Sequence, residues 1–587
     1  MYLGIDLGTT NTVVSRSFVD STGKLVTEVV KIGQLYNDNW EKFETLPSAV
    51  FFDEDGVVGD TKGGFIVGRE AKRQREQDKN NVVLNAKRFM GTSHFWTINK
   101  MKYEAKDIAA MVLQHCKKVI DREANMNYNT VVITVPASFN PEQIADTLRG
   151  AKQAGFKDDQ VIIKHEPTAA LLSFLDTEVK KNARDRYIDF STKKRMMVFD
   201  LGGGTCDTSI IDVKVSNNEI QFTEIAIGRY QELGGLDFDA KLTFGLLNKY
   251  FKDNNIVDGT LTDKEKEVMY DKLMLASEKI KEKLSATIYG KLSSGSDVNI
   301  EEIQVKHNIP DFYNGKPYRI AITKSEYDKY TESLYIDENI NYKKFEDMDK
   351  HKNIIGVIRK TLEDYKISKN SIDFIFMTGG MSQFITVKEK IRDYMNKPII
   401  APEDPMFAVA RGASIYQYYK VTENKADRDD LLENTDNDSS ENSDNLEVEP
   451  KKRKEVIVDK MMLAEAVLLD MNEGLPRVII PKMTVVPNEG EVRDRFRTTS
   501  PSGVKLNIYA GEDEMDSSMR IQKSIEKSFT FPVESGTPFD IKYKINENKA
   551  IEMQIIIHDL HHQNLDISIH NDLRISEQNY NIFVEEV

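Results

Sequence analysis

Two short segments hold the residues best suited to chemistry. Asp6-Leu7-Gly8-Thr9-Thr10-Asn11 closes an apolar run at the N-terminus, and Asp200-Leu201-Gly202-Gly203-Gly204-Thr205 closes a second one 194 residues later. Glycines let the backbone approach the oxygens of an anion, and the exposed N–H groups and threonine hydroxyls of such a turn cradle its charge. An aspartate at the strand end repels phosphate, but it can hold Mg²⁺ through water. That ion keeps several waters and takes one or two carboxylates plus phosphate oxygens. One such turn is usually a plain strand–helix corner. Two near-copies point to duplicated lobes clamping one nucleotide. A third glycine turn, Gly379-Gly380, follows Ile375-Phe376-Met377.

A helix is expected over Asp263 to Ser285, with Met269, Leu273, Ala276, Ile280 and Leu284 as its apolar stripe. Glu278, Lys281 and Ser285, at offsets 0, 3 and 7, share another face. Alone that face reads as solvated; beside a nucleotide cleft it suits ribose hydroxyls and a purine ring. Cys206, beside Thr205, reads as a small buried thiol rather than a nucleophile.

The elements that must position these groups come in two styles. Val131-Val132-Ile133-Thr134-Val135 is a β-branched run of the kind buried on both faces of a sheet, and Val161 to Ile163 and Met196 to Phe199 read alike. A helix over Pro141 to Gly155 separates the first two, so the N-terminal part is α/β. The C-terminal part alternates instead: Val504 to Tyr509, Phe539 to Ile545, Ile551 to Ile557 and Leu565 to Ile569 argue a β-sandwich. Between them, Thr422 to Glu449 carries 11 acidic and 2 basic residues without an aromatic. Such a segment cannot offset its ordering entropy by burial and is expected to be disordered. Lys451-Lys452-Arg453-Lys454 then reads as counter-charge, with an import or anion-binding patch as the alternative.

Composition sets the outer limits. The chain has 587 residues and a net charge of −15, which gives no general reason to expect nucleic-acid binding. Two cysteines fit a reducing compartment, and neither a membrane span nor a leader is expected, so a cytoplasmic protein is. The expected units are 1–420, two lobes of an α/β nucleotide-binding domain; 421–458, an acidic linker ending in a short apolar segment; 459–570, the sandwich; and 571–587, a tail.

The segments VVITVPASFNPEQ (131–143), EPTAALLSF (166–174), MVFDLGGGTCD (197–207), LGGLDFD (233–239), EKIKEKLS (278–285) and MTGGMS (377–382) resemble, in order, the seventy-kilodalton heat-shock chaperone family. The resemblance runs across residues 1–420 and continues more weakly into 456–570. It implies an actin-like two-lobed ATPase followed by a sandwich that holds extended apolar polypeptides. By that resemblance Asp6 and Asp200 place Mg²⁺; Thr9, Thr10, Asn11, Gly202, Gly203, Gly204 and Thr205 sit at the phosphates of ATP or ADP; and Lys87, Glu166 and Asp207 are catalytic. Glu278, Lys281, Ser285, Gly379 and Gly380 match the adenosine pocket. Leu469, Val504 and Leu506 match the peptide pocket, though from the residues alone all three read equally well as core. Phosphoryl transfer needs positioning and charge neutralisation more than covalent chemistry, so these residue types suit the roles. Unfolded polypeptides, a J-domain co-chaperone and a nucleotide-exchange factor are the implied partners, for a monomer.

The chain departs from the pattern in places. Ile144 stands where the family has an arginine that pairs with Pro136 to relay nucleotide state, so weak coupling between the domains is expected. Glu282 and Gln383 replace residues that border adenine, and Met406 replaces an aspartate. Family members add a long helical lid after the sandwich; the 18 residues after Ile569 are too few for one, so a lidless domain is expected. Three other readings compete. They are a small-molecule (sugar-type) kinase of the same superfamily, a filament-forming relative, and a nucleotide sensor without hydrolysis. The large β part and the EPTAA segment speak against the kinase. The presence of Lys87, Glu166 and Asp207 speaks against the sensor.

Overall fold

The computed structural model describes the chain apart from residues 38, 54–56, 59, 60, 63, 76, 123–127, 183, 217, 218, 229–231, 296, 297, 337–351, 421–455, 471–475, 517, 518, 560, 562 and 569–587. The expected acidic segment, the basic cluster after it and the tail on which the lidless reading rests therefore lie outside the described residues.

Two sheets of matching plan form the N-terminal part. In the first lobe, β1 (Tyr2–Leu7), β2 (Asn11–Val19) and β3 (Leu25–Val29) run antiparallel, while β4 (Val131–Val135) and β5 (Val161–His165) add in parallel, giving the order β5-β4-β1-β2-β3. In the second lobe, β6 (Lys194–Leu201), β7 (Cys206–Ser216) and β8 (Glu219–Ile227) repeat the antiparallel set, and β9 (Phe374–Thr378) and β10 (Ile399–Ile400) add in parallel on the other side. The order β10-β9-β6-β7-β8 matches the first lobe strand for strand. Each glycine segment is the turn of its lobe's first hairpin, after β1 and after β6. The duplication read from two hexapeptides is thus a duplication of whole sheets.

Burial explains the strand compositions. All five residues of β4 are buried, as a strand covered on both faces requires. Each lobe has its own apolar core, and a third cluster joins them, with Val132 of the first sheet packed among Val198, Ile211 and Phe376 of the second. Ile144 is 1% exposed within the first lobe's core, so the position lacking the family's arginine has become packing. Five helices matter for the site: α1 (Arg69–Gln74), α2 (Pro141–Gln153), α3 (Glu166–Lys180), α4 (Gly235–Asp253) and α5 (Asp263–Ser293). Asn140 caps α2 in a capping box with Gln143, which stabilises by about 1 kcal/mol relative to an uncapped start. The helix expected over 263–285 runs eight residues further, to Ser293, its start fixed by the Thr262 capping box.

The C-terminal part is a sandwich with its own core. One sheet takes Ala466–Asp470, Arg477–Ile480, Gly503–Gly511 and Arg520–Ser528; the other takes Asn488–Arg497, Pro538–Ile545, Ile551–Ile557 and Asn564–Ser568. The segment expected to end the linker behaves differently. β11 (Val456–Met462) crosses the boundary drawn at 458 and joins the second lobe's sheet, pairing in parallel with β8 from Glu219↔Val456 to Thr223↔Lys460. An open strand edge presents unpaired N–H and C=O groups, and an apolar strand next in the chain is well suited to cover it.

Candidate functional site

The site forms where the two glycine hairpins face each other. A Cβ added to Gly203 would lie 1.9 Å from Thr10 Oγ1, and one added to Gly204 would lie 2.5 Å from Thr9 Cγ2. Only glycine permits this approach. Thr10 Oγ1 is buried with no hydrogen-bond partner, and so is Thr378 Oγ1 at the end of β9. A donor hydroxyl left unpaired beside a glycine cradle is what an anion's oxygen would satisfy. Gly379, in the left-handed region at φ 86°, lies against Asp200: a Cβ there would meet Oδ1 at 2.3 Å. Gly380 faces open space, and Asn11 starts β2 at the far end of the first turn.

Behind the hairpins sits a buried charge cluster. Lys87 Nζ bonds Glu166 Oε1 at 2.5 Å, with the two side chains 8% and 10% exposed. The chain reaches this geometry by local means. Lys87 stands in a short helical turn, Ala86–Phe89, entered through Asn85 in the left-handed region, and Glu166 is the first residue of α3, held by Pro167. Asp207 pairs with Asp200 across the second hairpin and accepts a hydrogen bond from the Ser138 hydroxyl. Burial pushes Asp6 and Asp207 each up to about 7, Glu166 adding repulsion to both. Burial and the charges of Glu166 and Asp207 push Asp200 well up too. Burial pulls Lys87 down, but Glu166 and Asp6 outweigh it and keep the ammonium charged. Four carboxyl groups thus share one cation, and that donor set fits a further divalent cation. Among the described residues no three His, Cys, Asp or Glu side chains converge closely enough to bind a metal directly. Asp6 and Asp200 therefore suit a hydrated Mg²⁺, touched through water, better than a caged metal.

The expected adenosine trio makes unlike contacts, and only the first of them bridges the lobes. Glu278 accepts from Lys72 of α1 at 2.8 Å, joining the lobes. Lys281 reaches Asp239 at 2.6 Å and the Gly235 carbonyl at 3.0 Å, which fixes the start of α4 against Gly202 and Gly203. Ser285 is half-buried two turns beyond Glu278 on α5. A cavity of about 140 Å³ between the lobes is lined by Thr10, Ser48, Lys72, Leu236, Asp239 and Glu278. Leu469, Val504 and Leu506 lie in the sandwich interior, 1%, 6% and 2% exposed. Cys206 is fully buried, and burial raises its thiol well above the ordinary range, so it is inert.

Sequence reasoning missed four participants. Arg88 donates to the Gly204 carbonyl at 2.9 Å and to Asp237 at 3.0 Å, tying the second glycine turn to the first lobe. Ser138, Asp239 and Lys72 also went unread. The dipeptide Lys87-Arg88 was a usable signal for Arg88, since both residues leave one turn. The other three are ordinary in sequence and gain meaning only from what they face.

Known proteins resemble this chain in sequence. The profile of the Hsp70 protein family matches residues 2–100, 94–309 and 321–461. A chaperone protein DnaK of Mycoplasmopsis agalactiae is 27% identical over 552 residues, covering 93% of this chain and 75% of that protein. One from Thermosipho melanesiensis is 26% identical over 518 residues, covering 87% and 70%. Two matching lobes around facing glycine hairpins, a sandwich behind them and a profile match across most of the first 461 residues converge on one assignment: the chain belongs to the Hsp70 family.

Proposed function

We propose that this chain is an ATP-dependent chaperone that binds and hydrolyses ATP between its lobes and binds extended apolar polypeptide through its sandwich. The observation that carries the reading is the buried Lys87–Glu166 pair set among Asp6, Asp200 and Asp207, directly behind two facing glycine hairpins. Thr9, Thr10, Asn11, Thr205 and the Gly202–Gly204 backbone hold the phosphates, while Glu278, Lys281, Ser285, Gly379 and Gly380 hold the nucleoside. Asp6 and Asp200 would hold Mg²⁺ through water, and the ion supplies charge neutralisation on the phosphate oxygens. Lys87 keeps its ammonium beside the transferring group, where a fixed charge counts most. Glu166, anchored by Lys87, orients the attacking water. Asp207, held by Ser138 and paired with Asp200 across the second hairpin, takes that water's proton.

Leu469, Val504 and Leu506 form the peptide pocket in this reading, which requires the closed interior to open. A J-domain co-chaperone, a nucleotide-exchange factor, the monomeric state and the cytoplasmic location belong to the same proposal. The test measures phosphate release from ATP with no sugar or polyol present, then the affinity for an apolar peptide in ATP and in ADP. Release alone, with affinity differing between the nucleotides, is the expected result. Release only when a polyol is added selects the kinase; no release in any condition selects the sensor.

A further inference from the structure

The sandwich touches the lobes through a buried polar chain that catalysis does not use. Between Pro538–Ile545 and Ile551–Ile557 the sandwich makes a tight turn, Asn546-Glu547-Asn548-Lys549. Asn548 lies against β5, the edge strand of the first lobe: its Oδ1 accepts from the Ile163 N–H at 3.0 Å and its Nδ2 donates to the Val161 carbonyl at 3.3 Å. Lys549 adopts φ 58°, a left-handed backbone that a lysine seldom takes, and is 1% exposed. Its ammonium donates to His165 Nε2 at 2.6 Å. His165, fully buried at the end of β5, uses Nδ1 to donate to Glu224 of β8. The second oxygen of Glu224 accepts from the Met462 N–H of β11 at 2.9 Å. One imidazole therefore joins the first lobe, the second lobe and the sandwich, and one carboxylate joins it to the strand leading into the sandwich.

The bonding fixes the charge states. With Lys549 donating into Nε2, the imidazole must be the neutral Nδ1–H tautomer. A proton arriving at Nε2 would break the bond to Lys549 and set two buried cations against the single anion of Glu224. We propose that the Glu224–His165–Lys549 bridge is a proton-operated latch, holding the sandwich to the lobes while His165 is neutral and releasing it when Nε2 is protonated. The surrounding groups agree with this. Lys164, the preceding residue of β5, holds its ammonium 4.5 Å from the centre of the Tyr416 ring, where Glu224 and Glu547 favour its charge and Lys420 and Lys549 oppose it. Burial holds His165 down to about 4, against Glu224, with Lys549 and Lys164 pushing the same way. Burial also draws Lys549 down to about 8 and Lys164 to about 7. Burial pushes Glu224 up, but His165, Lys549 and Lys164 outweigh it and keep it an anion.

The sign follows. A docked histidine at about 4, against 6.5 when free, contributes docking that is full above 6.5 and is lost as pH falls toward 4. The docking constant should fall about tenfold between pH 7.5 and 5.5. The latch rests on the proposed chaperone activity only in its output, since His165 immediately precedes Glu166 and loosening it would also slow turnover.

The test labels the full chain at Lys157→Cys and Lys544→Cys with a fluorescent pair, both native cysteines being buried, and follows energy transfer from pH 7.5 to 5.5. Wild type should lose docking about tenfold, and His165→Asn less than about twofold. Lys549→Met changes only the sandwich turn and should also flatten the profile, with circular dichroism confirming its fold. A flat wild-type profile, or the full loss retained in both variants, overturns the latch. The readout needs no turnover. A protein that docks with this profile and hydrolyses no ATP supports the latch and overturns the ATPase reading.

Discussion

Replacing Lys87 by alanine tests the centre of the proposed site, and the structure sets the size of the effect in two independent measurements. The ammonium lies 2.5 Å from Glu166 Oε1, both groups almost wholly buried. Removing one partner of a buried pair commonly costs about 3–5 kcal/mol, because the other charge is left uncompensated. Unfolding entropy near 2.1 cal/mol/K per residue over some 400 residues turns that into a melting temperature lower by roughly 4–6 °C. In the proposed mechanism Glu166 also loses the partner that anchors it, and the transferring phosphoryl loses its fixed cation. Losing one charged stabiliser of a developing anion costs about 10²–10³ in turnover. Together the two losses should lower single-turnover phosphate release by at least that factor, while calorimetric ATP affinity changes little. Lys87→Met with Glu166→Gln removes both charges and should melt higher than Lys87→Ala, although it is equally inactive. Turnover equal to wild type would refute the catalytic role. A double variant less stable than the single would refute the electrostatic account of the pair.

Two further outcomes bear on the same site. Asp207, raised to about 7 by burial, favours folding most below its ordinary 3.8 and loses that contribution as pH rises through 7. Metal-free protein should therefore melt lower at pH 8 than at pH 5, with a shallower slope in Asp207→Asn; equal slopes would show that this carboxyl is not the cause. Gly203→Ala places a methyl 1.9 Å from Thr10 Oγ1, so the hairpins cannot meet. It should keep the fold but lose the rise in melting temperature that Mg²⁺–ATP gives wild type, about 2.7 kcal/mol at a hundredfold excess over Kd. An undiminished rise would show that the contact is dispensable.

The sequence by itself determined what depends on neighbours along the chain. The two glycine turns, the buried strand Val131–Val135, the helix from Asp263 with its apolar stripe and the alternating strands after Val504 all follow from local period and residue type, and each appears where that period places it. Even the pairing of lobes was legible, because two near-copies of one strand-ending turn recur. Tertiary structure alone decided what depends on partners distant in sequence. Lys87 and Glu166 are 79 residues apart, and Lys549 and His165 are 384 apart. Nothing in a lysine's neighbours says which carboxylate or imidazole it will meet. The family's resemblance pointed to Lys87; nothing pointed to Lys549. The same limit applies to Val456–Met462, whose apolar residues read as a linker's end. Whether such a segment stays free or becomes a strand depends on an open sheet edge, and that edge, Glu219–Ile227, lies more than two hundred residues earlier. Ile144 shows the converse. Its departure from the family pattern read as a loosened relay, and the tertiary structure shows what the position does locally: at 1% exposure it packs in the first lobe's core. One contact between the lobes and the sandwich runs through His165, because burial and a facing donor gave an ordinary residue a partner that composition cannot express.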